Sequence, residues 1–450
     1  MHASLNYRTF FCLLVAFFFY STPLYAESSP ITFSLAEAIE RGLASNANVH
    51  AYASSVDASR MEEKEIRSAL LPQIHGSIGK SQLENTGTSE NNADYLTQES
   101  RTAQFGIDQK IFDAVALYRY LMSDAYTERS ALELKKVKQN LVFYIEQEYF
   151  LYLKAKEDVK SYQKAIERLE KQLQSAKAFY ELQMKPRLHV LQTQSRLAKA
   201  QQDLSAALNT VKIQQAQLAY LLNIPEETEF ELIGELEDFM TPVTQDLQSY
   251  VQIAYRFHPD LHIAEKDITI SQKQESLAKA ELLPTVTASA RYIDQDTDYE
   301  KENITDISRQ YYTLGLNMQW QIFQGGQTYY KFKKQQARTT GARLKLQDMQ
   351  HSLGSQVKKN YLRTVEGQKQ IELSKIYVRE AEETYQRAFK RYQLGLGTSI
   401  DLLDASAELV EAEVFLSRSR ADYLVSFATL LHSTGDIEQL KGLGQSSILR

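Results

Sequence analysis

Tyr311-Tyr312-Thr313-Leu314-Gly315-Leu316-Asn317-Met318-Gln319-Trp320-Gln321-Ile322 is the stretch whose pattern decides the fold. Tyr312, Leu314, Leu316, Met318, Trp320 and Ile322 alternate with Tyr311, Thr313, Gly315, Asn317, Gln319 and Gln321, so an extended chain here is oily on one side and wet on the other. A small soluble sheet packed on helices would carry such a pattern. A strand of about ten residues facing hydrocarbon, with aromatic side chains near its ends, accounts for it better.

The neighbours on either side complete a hairpin. Upstream, a strand over 283–293 opens at Leu283-Pro284, and a polar loop rich in Asp, Glu, Thr and Asn fills 295–309. A weaker version stands earlier in the chain: a strand over 71–82, a polar loop over 83–101, then Phe105, Ile107 and Ile111 set against Gln104, Gly106, Asp108 and Lys110. Leu71-Pro72 corresponds to Leu283-Pro284, Ile111-Phe112 to Ile322-Phe323, and Leu188-His189-Val190-Leu191 to Ile400-Asp401-Leu402-Leu403. The spacing stays at about 212 positions across all three landmarks, which marks one supersecondary unit duplicated in tandem.

The rest of each unit is helical. The 450 residues contain only 8 prolines and 17 glycines, so turns are few and elements long. Amphipathic stretches over 35–70 and 247–282 precede the hairpins, with Asn48 and Asp260 equivalent near their starts and His258-Pro259-Asp260 reading as a cap before a first-turn proline. Behind each hairpin runs an unbroken helical pattern, over 115–183 and 326–394, each roughly 100 Å long at 1.5 Å per residue. In the first of these, Leu134, Val137, Leu141, Tyr144, Leu151, Tyr162, Leu169 and Leu173 follow a three-four alternation interrupted by Glu148 and Ala155, which suits coiled-coil packing. Shorter return helices follow over 188–221 and 399–432. Laid end to end, the two short helices of a unit match the long one, predicting an antiparallel wall of constant height.

The resulting domain plan is a signal peptide over 1–26, a first repeat over 27–226 with its hairpin at 71–112, and an acidic connector over 227–246 packed around the outside. A second repeat follows over 247–435 with its hairpin at 283–323, then a tail over 436–450. Arg8, the apolar run from Phe10 to Tyr20 and Ala26 give the first segment the form of an export signal. Cys12, the one cysteine, lies inside it, so no disulfide, thiolate nucleophile or cysteine metal site is expected in the exported chain. A formal net charge of −6 offers no electrostatic reason to bind nucleic acid. If the hairpins meet lipid they must leave no unpaired edge, and four strands fall short of the smallest barrels of about eight, so several chains must pool their strands.

Leu70-Leu71-Pro72 and Leu282-Leu283-Pro284, the strand endings Ile111-Phe112-Asp113 and Ile322-Phe323-Gln324-Gly325-Gly326, and the run Leu394-Gly395-Leu396-Gly397-Thr398-Ser399-Ile400-Asp401-Leu402-Leu403-Asp404-Ala405 resemble the TolC-like outer-membrane efflux protein family. The resemblance covers nearly all of the chain after the signal. It implies a mainly α fold with a membrane β-barrel: a homotrimer with a twelve-stranded barrel in the outer membrane and a twelve-helix tunnel through the periplasm. It also implies a passive exit duct for efflux or type I secretion, docking on a periplasmic adaptor protein and an inner-membrane transporter that selects the cargo. No enzymatic activity and no cofactor are expected.

By the same resemblance the helix-to-helix turns form the periplasmic tip, and Asp401 and Asp404 line its aperture. Thr398 followed by Asp401 is equally a capping box, and the two roles are compatible. Lys185, Arg187, Gly395, Leu396, Gly397, Thr398 and Ser399 are the expected adaptor-docking turns, the glycines serving as helix caps or as a low docking surface. His189 and Gln192 stand where an aspartate and a polar partner are usual, and Lys185 or Arg187 could pair with the acids of the second turn instead. His258, His262 and Glu265 have metal-like spacing but read better as a cap and surface residues. The competing function is a periplasmic coiled-coil adaptor or scaffold, which would surround a helical hairpin with compact β domains.

Overall fold

The computed structural model describes residues 31–85, 96–225, 228–300 and 305–436. The expected signal segment, the tail after Asp436 and the tips of both hairpins lie outside the described residues. The chain opens with β1 (Ile31–Phe33), α1 (Leu35–Ser45), α2 (Ala47–Ser68), β2 (Gln73–Asn85), β3 (Leu96–Phe112), α3 (Ala114–Glu181) and α4 (Leu188–Leu221). It continues with β4 (Phe230–Leu232), a 3-10 turn (Leu236–Phe239), α5 (Leu247–Phe257), α6 (Pro259–Ala280), β5 (Thr285–Tyr299), β6 (Ile307–Gln319), α7 (Gln327–Gln393) and α8 (Ser399–Thr434).

Four strands form one antiparallel sheet in the order β2-β3-β5-β6. Each strand joins a helix, and those helices pack in the same order: α2 on α3, α3 on α6, α6 on α7. Towards the other end α4 and α8 take the places of α2 and α6, so α4, α3, α8 and α7 stand side by side. Two half-length helices per unit thus complete one full-length helix. The first helical stretch of each unit is broken in two, because Asn46 and His258 leave helical geometry and cap the helix that follows. The Asn46 Oδ1 accepts from the amides of Asn48 and Val49, and the His258 Nδ1 from that of Asp260.

Strand pairing reaches into the segments expected to be polar loops over 83–101 and 295–309. Lys80 pairs with Arg101, Glu84 with Thr97 and Asp296 with Ser308. Hydrophobic alternation marks only the part of a strand with one oily face; above it a ladder can run on with both faces polar. At the opposite end β6 stops at Gln319, opposite Thr285. Pro284 has no N–H to donate and β5 begins after it, so Trp320 and Ile322 lie beyond the strand in which they were expected.

The connector contributes more to the core than its acidic composition suggests. Phe230, Leu232, Leu236 and Phe239 are buried in the main core with Phe33, Val142, Ile145, Tyr149 and Phe150. β4 pairs in parallel with β1, Ile31 opposite Phe230. The acids Glu231, Glu235 and Glu237 alternate with these apolar positions and dominate the composition, hiding an i, i+2 and i, i+3 pattern. This belt wraps the middle of α3, burying residues on most sides there, although Tyr144 of the expected seam remains half exposed.

Candidate functional site: the paired helix turns and the oily face of the sheet

Two turns, one from each repeat, meet at the end of the molecule farthest from the sheet. After α7, Gly395 takes φ +73°, and the amides of Leu396 and Gly397 return to the Arg391 carbonyl at 2.9 and 3.0 Å. Thr398 then caps α8. Its hydroxyl accepts from the Asp401 amide at 3.1 Å, while the Asp401 carboxylate accepts from the Thr398 amide at 3.3 Å. Hydrogen bonding to its carboxyl by Thr398, side chain first and amide second, holds Asp401 below its ordinary value, so it is a capped anion at the tip.

The first turn follows the same path with different residues. Gln183 takes φ +54°, and the amides of Met184 and Lys185 return to the Phe179 carbonyl at 2.9 and 3.2 Å. Counted at the repeat spacing, Gln183 corresponds to Gly395 and Lys185 to Gly397. Gln183 therefore bears a Cβ in left-handed geometry, at a cost of about 1 kcal/mol that Gly395 escapes. Arg187 occupies the position before α4 without a side-chain capping bond.

Lys185 joins the turns. Its Nζ donates to the Gly397 carbonyl at 3.2 Å and stands 3.9 Å from the centre of the Tyr392 ring and 5.4 Å from that of Phe179. Burial lowers the Lys185 ammonium from its ordinary value, and burial together with the Lys185 charge lowers the neighbouring His189. Phe179 and Tyr392 meet edge to face at 5.7 Å, so the cation sits on an aromatic pair drawn from both repeats. A side chain at Gly397 would put its Cβ 3.2 Å from the Arg391 Cβ and the Tyr392 nitrogen, so the turn itself leaves little room for one.

The second acid has its own partner. Asp404 receives Arg196 Nη2 from α4 at 3.2 Å, an exposed pair worth under about 1 kcal/mol. Leu169, Ala200 and Leu403 close an apolar contact at this level between α3, α4 and α8. Ser399 is fully buried, whereas Leu396 is exposed. Neither Lys185 nor Arg187 is the partner of Asp404, contrary to the pairing considered from sequence. Arg196 and Tyr392 were not singled out there, and only aligning the two repeats position by position would have drawn attention to Gln183.

On the sheet, Tyr312, Leu314, Leu316 and Met318 share the face expected for them and are 58–86% exposed. The register extends that face across all four strands. One rung runs Gly76, Phe105, Tyr292, Tyr312, and the next Ile74, Ile107, Ala290, Leu314. The Tyr292 and Tyr312 rings lie 5.1 Å apart, and Asp294 and Gln310 follow immediately above, so an aromatic row borders the apolar band. Trp320, past the strand end, donates its indole N–H to the Leu282 carbonyl at 3.0 Å. No helix among the described residues is long and apolar enough to cross a membrane. His262 bonds to Glu265 and to the Arg256 carbonyl, and with the His258 cap this accounts for the metal-like spacing.

The family model for outer membrane efflux proteins matches this chain twice, over residues 38–223 and 251–436. Outer membrane protein TolC of Escherichia coli K12 is 23% identical over 424 residues, covering 90% of this chain and 83% of the relative. The alkaline protease secretion protein AprF of Pseudomonas aeruginosa is 22% identical over 386 residues, covering 83% and 78%. The crystal structure of the Campylobacter jejuni CmeC outer membrane channel superposes with a TM-score of 0.76 at 14% identity, over 92% of this chain and 89% of that one. The double match includes the strands as well as the helices, which sets the adaptor reading aside. The chain belongs to the outer membrane efflux protein family.

Proposed function

We propose that three copies of this chain close into a passive duct, with a twelve-stranded barrel in the outer membrane and a helical tunnel reaching through the periplasm to an adaptor and an energised inner-membrane transporter. The observation that carries this reading is the sheet: four strands, one face apolar and exposed, and both edges, β2 and β6, paired on one side only. Hydrocarbon satisfies the face, and neighbouring chains satisfy the edges. Exposed apolar residues on the outer helices support the same assembly, with Ile213 and Tyr220 on α4 and Leu344, Leu362 and Leu373 on α7 left for neighbouring subunits to cover. Efflux and type I secretion both fit a duct of this build.

Asp401 and Asp404 then stand around the narrow end, six carboxylates in a trimer, attracting cations and repelling anions. Lys185 and Arg196 hold the two turns of one chain together, and the closed aperture opens when these links part. The turn from Gly395 to Ser399, with Lys185 and Arg187 beside it, is the surface for the adaptor. Heat-sensitive trimers extracted from the outer membrane should form channels in planar bilayers. Asp401→Asn with Asp404→Asn should raise single-channel conductance and reduce cation preference. Unaltered selectivity at low salt would refute the aperture assignment, and a detergent-independent monomer would refute the duct.

A further inference from the structure

The alternation that separates oil from water on this sheet also separates charge. Above the apolar band, the oily side continues into Lys80 and Arg101 but also Glu99, Asp294, Asp296 and Asp298, so acids predominate. The opposite side carries Lys110, Arg291 and Arg309, and among its described strand residues Asp108 is the one acid. Lys110 is answered by Asp113 at 2.9 Å, at the start of α3.

Two basic side chains share Asp108. Arg291 Nη2 lies 3.5 Å from one carboxylate oxygen and His75 Nδ1 3.6 Å from the other. Both cross over Gly106, where a Cβ would come within 2.6 Å of the His75 ring and 3.2 Å of the Arg291 Cγ, so a glycine is what lets them converge. The Arg291 Nε is screened from solvent and has no acceptor among the described residues. Arg309 lies exposed on the same side, opposite Gln295.

We propose that this side of the sheet is a cationic belt on the barrel lumen, centred on Arg291 and Arg309, that favours anions within the barrel and works in series with the acidic aperture at the other end. It rests on the duct reading above, which turns the polar side of the sheet inward. A low-dielectric wall focuses the field of such a ring into the water it encloses. The field reaches about 30 Å at 0.01 M salt and about 3 Å at 1 M, so the preference belongs to low ionic strength.

The test is the reversal potential of the full-length protein in planar bilayers under a potassium chloride gradient near 0.01 M. It uses Asp401→Asn, Asp404→Asn as the background, so that the aperture no longer masks the barrel. That background should prefer chloride over potassium by about twofold or more and lose the preference at 1 M salt. Adding Arg291→Gln and Arg309→Gln should abolish it, while Arg291→Lys should keep it. A background that conducts without anion preference, or a preference unaltered by the two glutamines, would overturn the belt and leave the duct standing. Trimers that conduct nothing would overturn the duct itself.

Discussion

Lys185 Nζ donates to the Gly397 carbonyl at 3.2 Å, joining two positions that correspond to one another across the duplication. One repeat has a long flexible cation at this place and the other has no side chain. The asymmetry ties the two turns of one chain together, since the lysine of one reaches across to the backbone of the other.

Lys185→Met keeps the aliphatic stem but removes the hydrogen bond and the contact with Tyr392. Each is worth on the order of 1 kcal/mol, so the joined state should lose roughly tenfold or more in population. Single-channel recording should show more frequent opening, and Lys185→Arg should restore much of the wild-type behaviour.

Gln183 and Gly395 share left-handed geometry, and glycine alone holds it without strain. Gln183→Gly should stabilise the protein by about 0.5–1 kcal/mol and Gly395→Ala destabilise it by about 1 kcal/mol or more. Thermal midpoints of the detergent-solubilised variants check both signs.

Glu146 on α3 is fully buried, neither carboxyl oxygen has a hydrogen-bond partner among the described residues, and burial pushes its pKa well above the ordinary value. The folded chain keeps this proton at pH values where the unfolded chain releases it. Its contribution to stability therefore falls as pH rises above the unfolded value near 4.5. Glu146→Gln should be more stable than wild type at pH 8, with a smaller difference at pH 5.

His432 on α8 titrates the other way. Its ring lies 4.7 Å from that of Phe143 and bonds to the Asn140 Oδ1 at 2.8 Å. Burial, helped by His258, pushes it down to about 4 from 6.5. The neutral ring is stable above pH 6.5, and stability drains as the unfolded state takes up protons between 6.5 and 4, by roughly 3 kcal/mol in all. His432→Gln should flatten the acid limb of the thermal midpoint plotted against pH.

Much of the architecture is legible in the sequence. Leu-Pro pairs, a change of period from 3.6 to 2 and long proline-free stretches are local signals, and each is set by its own few residues. Strand lengths were less legible, because Lys80, Arg101, Asp294 and Asp296 have no oily face to announce them. The buried role of Phe230, Leu232, Leu236 and Phe239 was masked by the acids between them.

The sequence by itself determined the duplication, the two hairpins, the pair of long helices and the capped acid at Asp401, since periodicity and capping act over a handful of residues. Only the tertiary structure decided that Lys185 meets Gly397 and Tyr392, that Arg196 rather than Arg187 reaches Asp404, and that His75 and Arg291 share Asp108. Those contacts join side chains far apart in the chain. Their geometry depends on how the strands register and how the helices of both repeats stand side by side, and no local pattern encodes that.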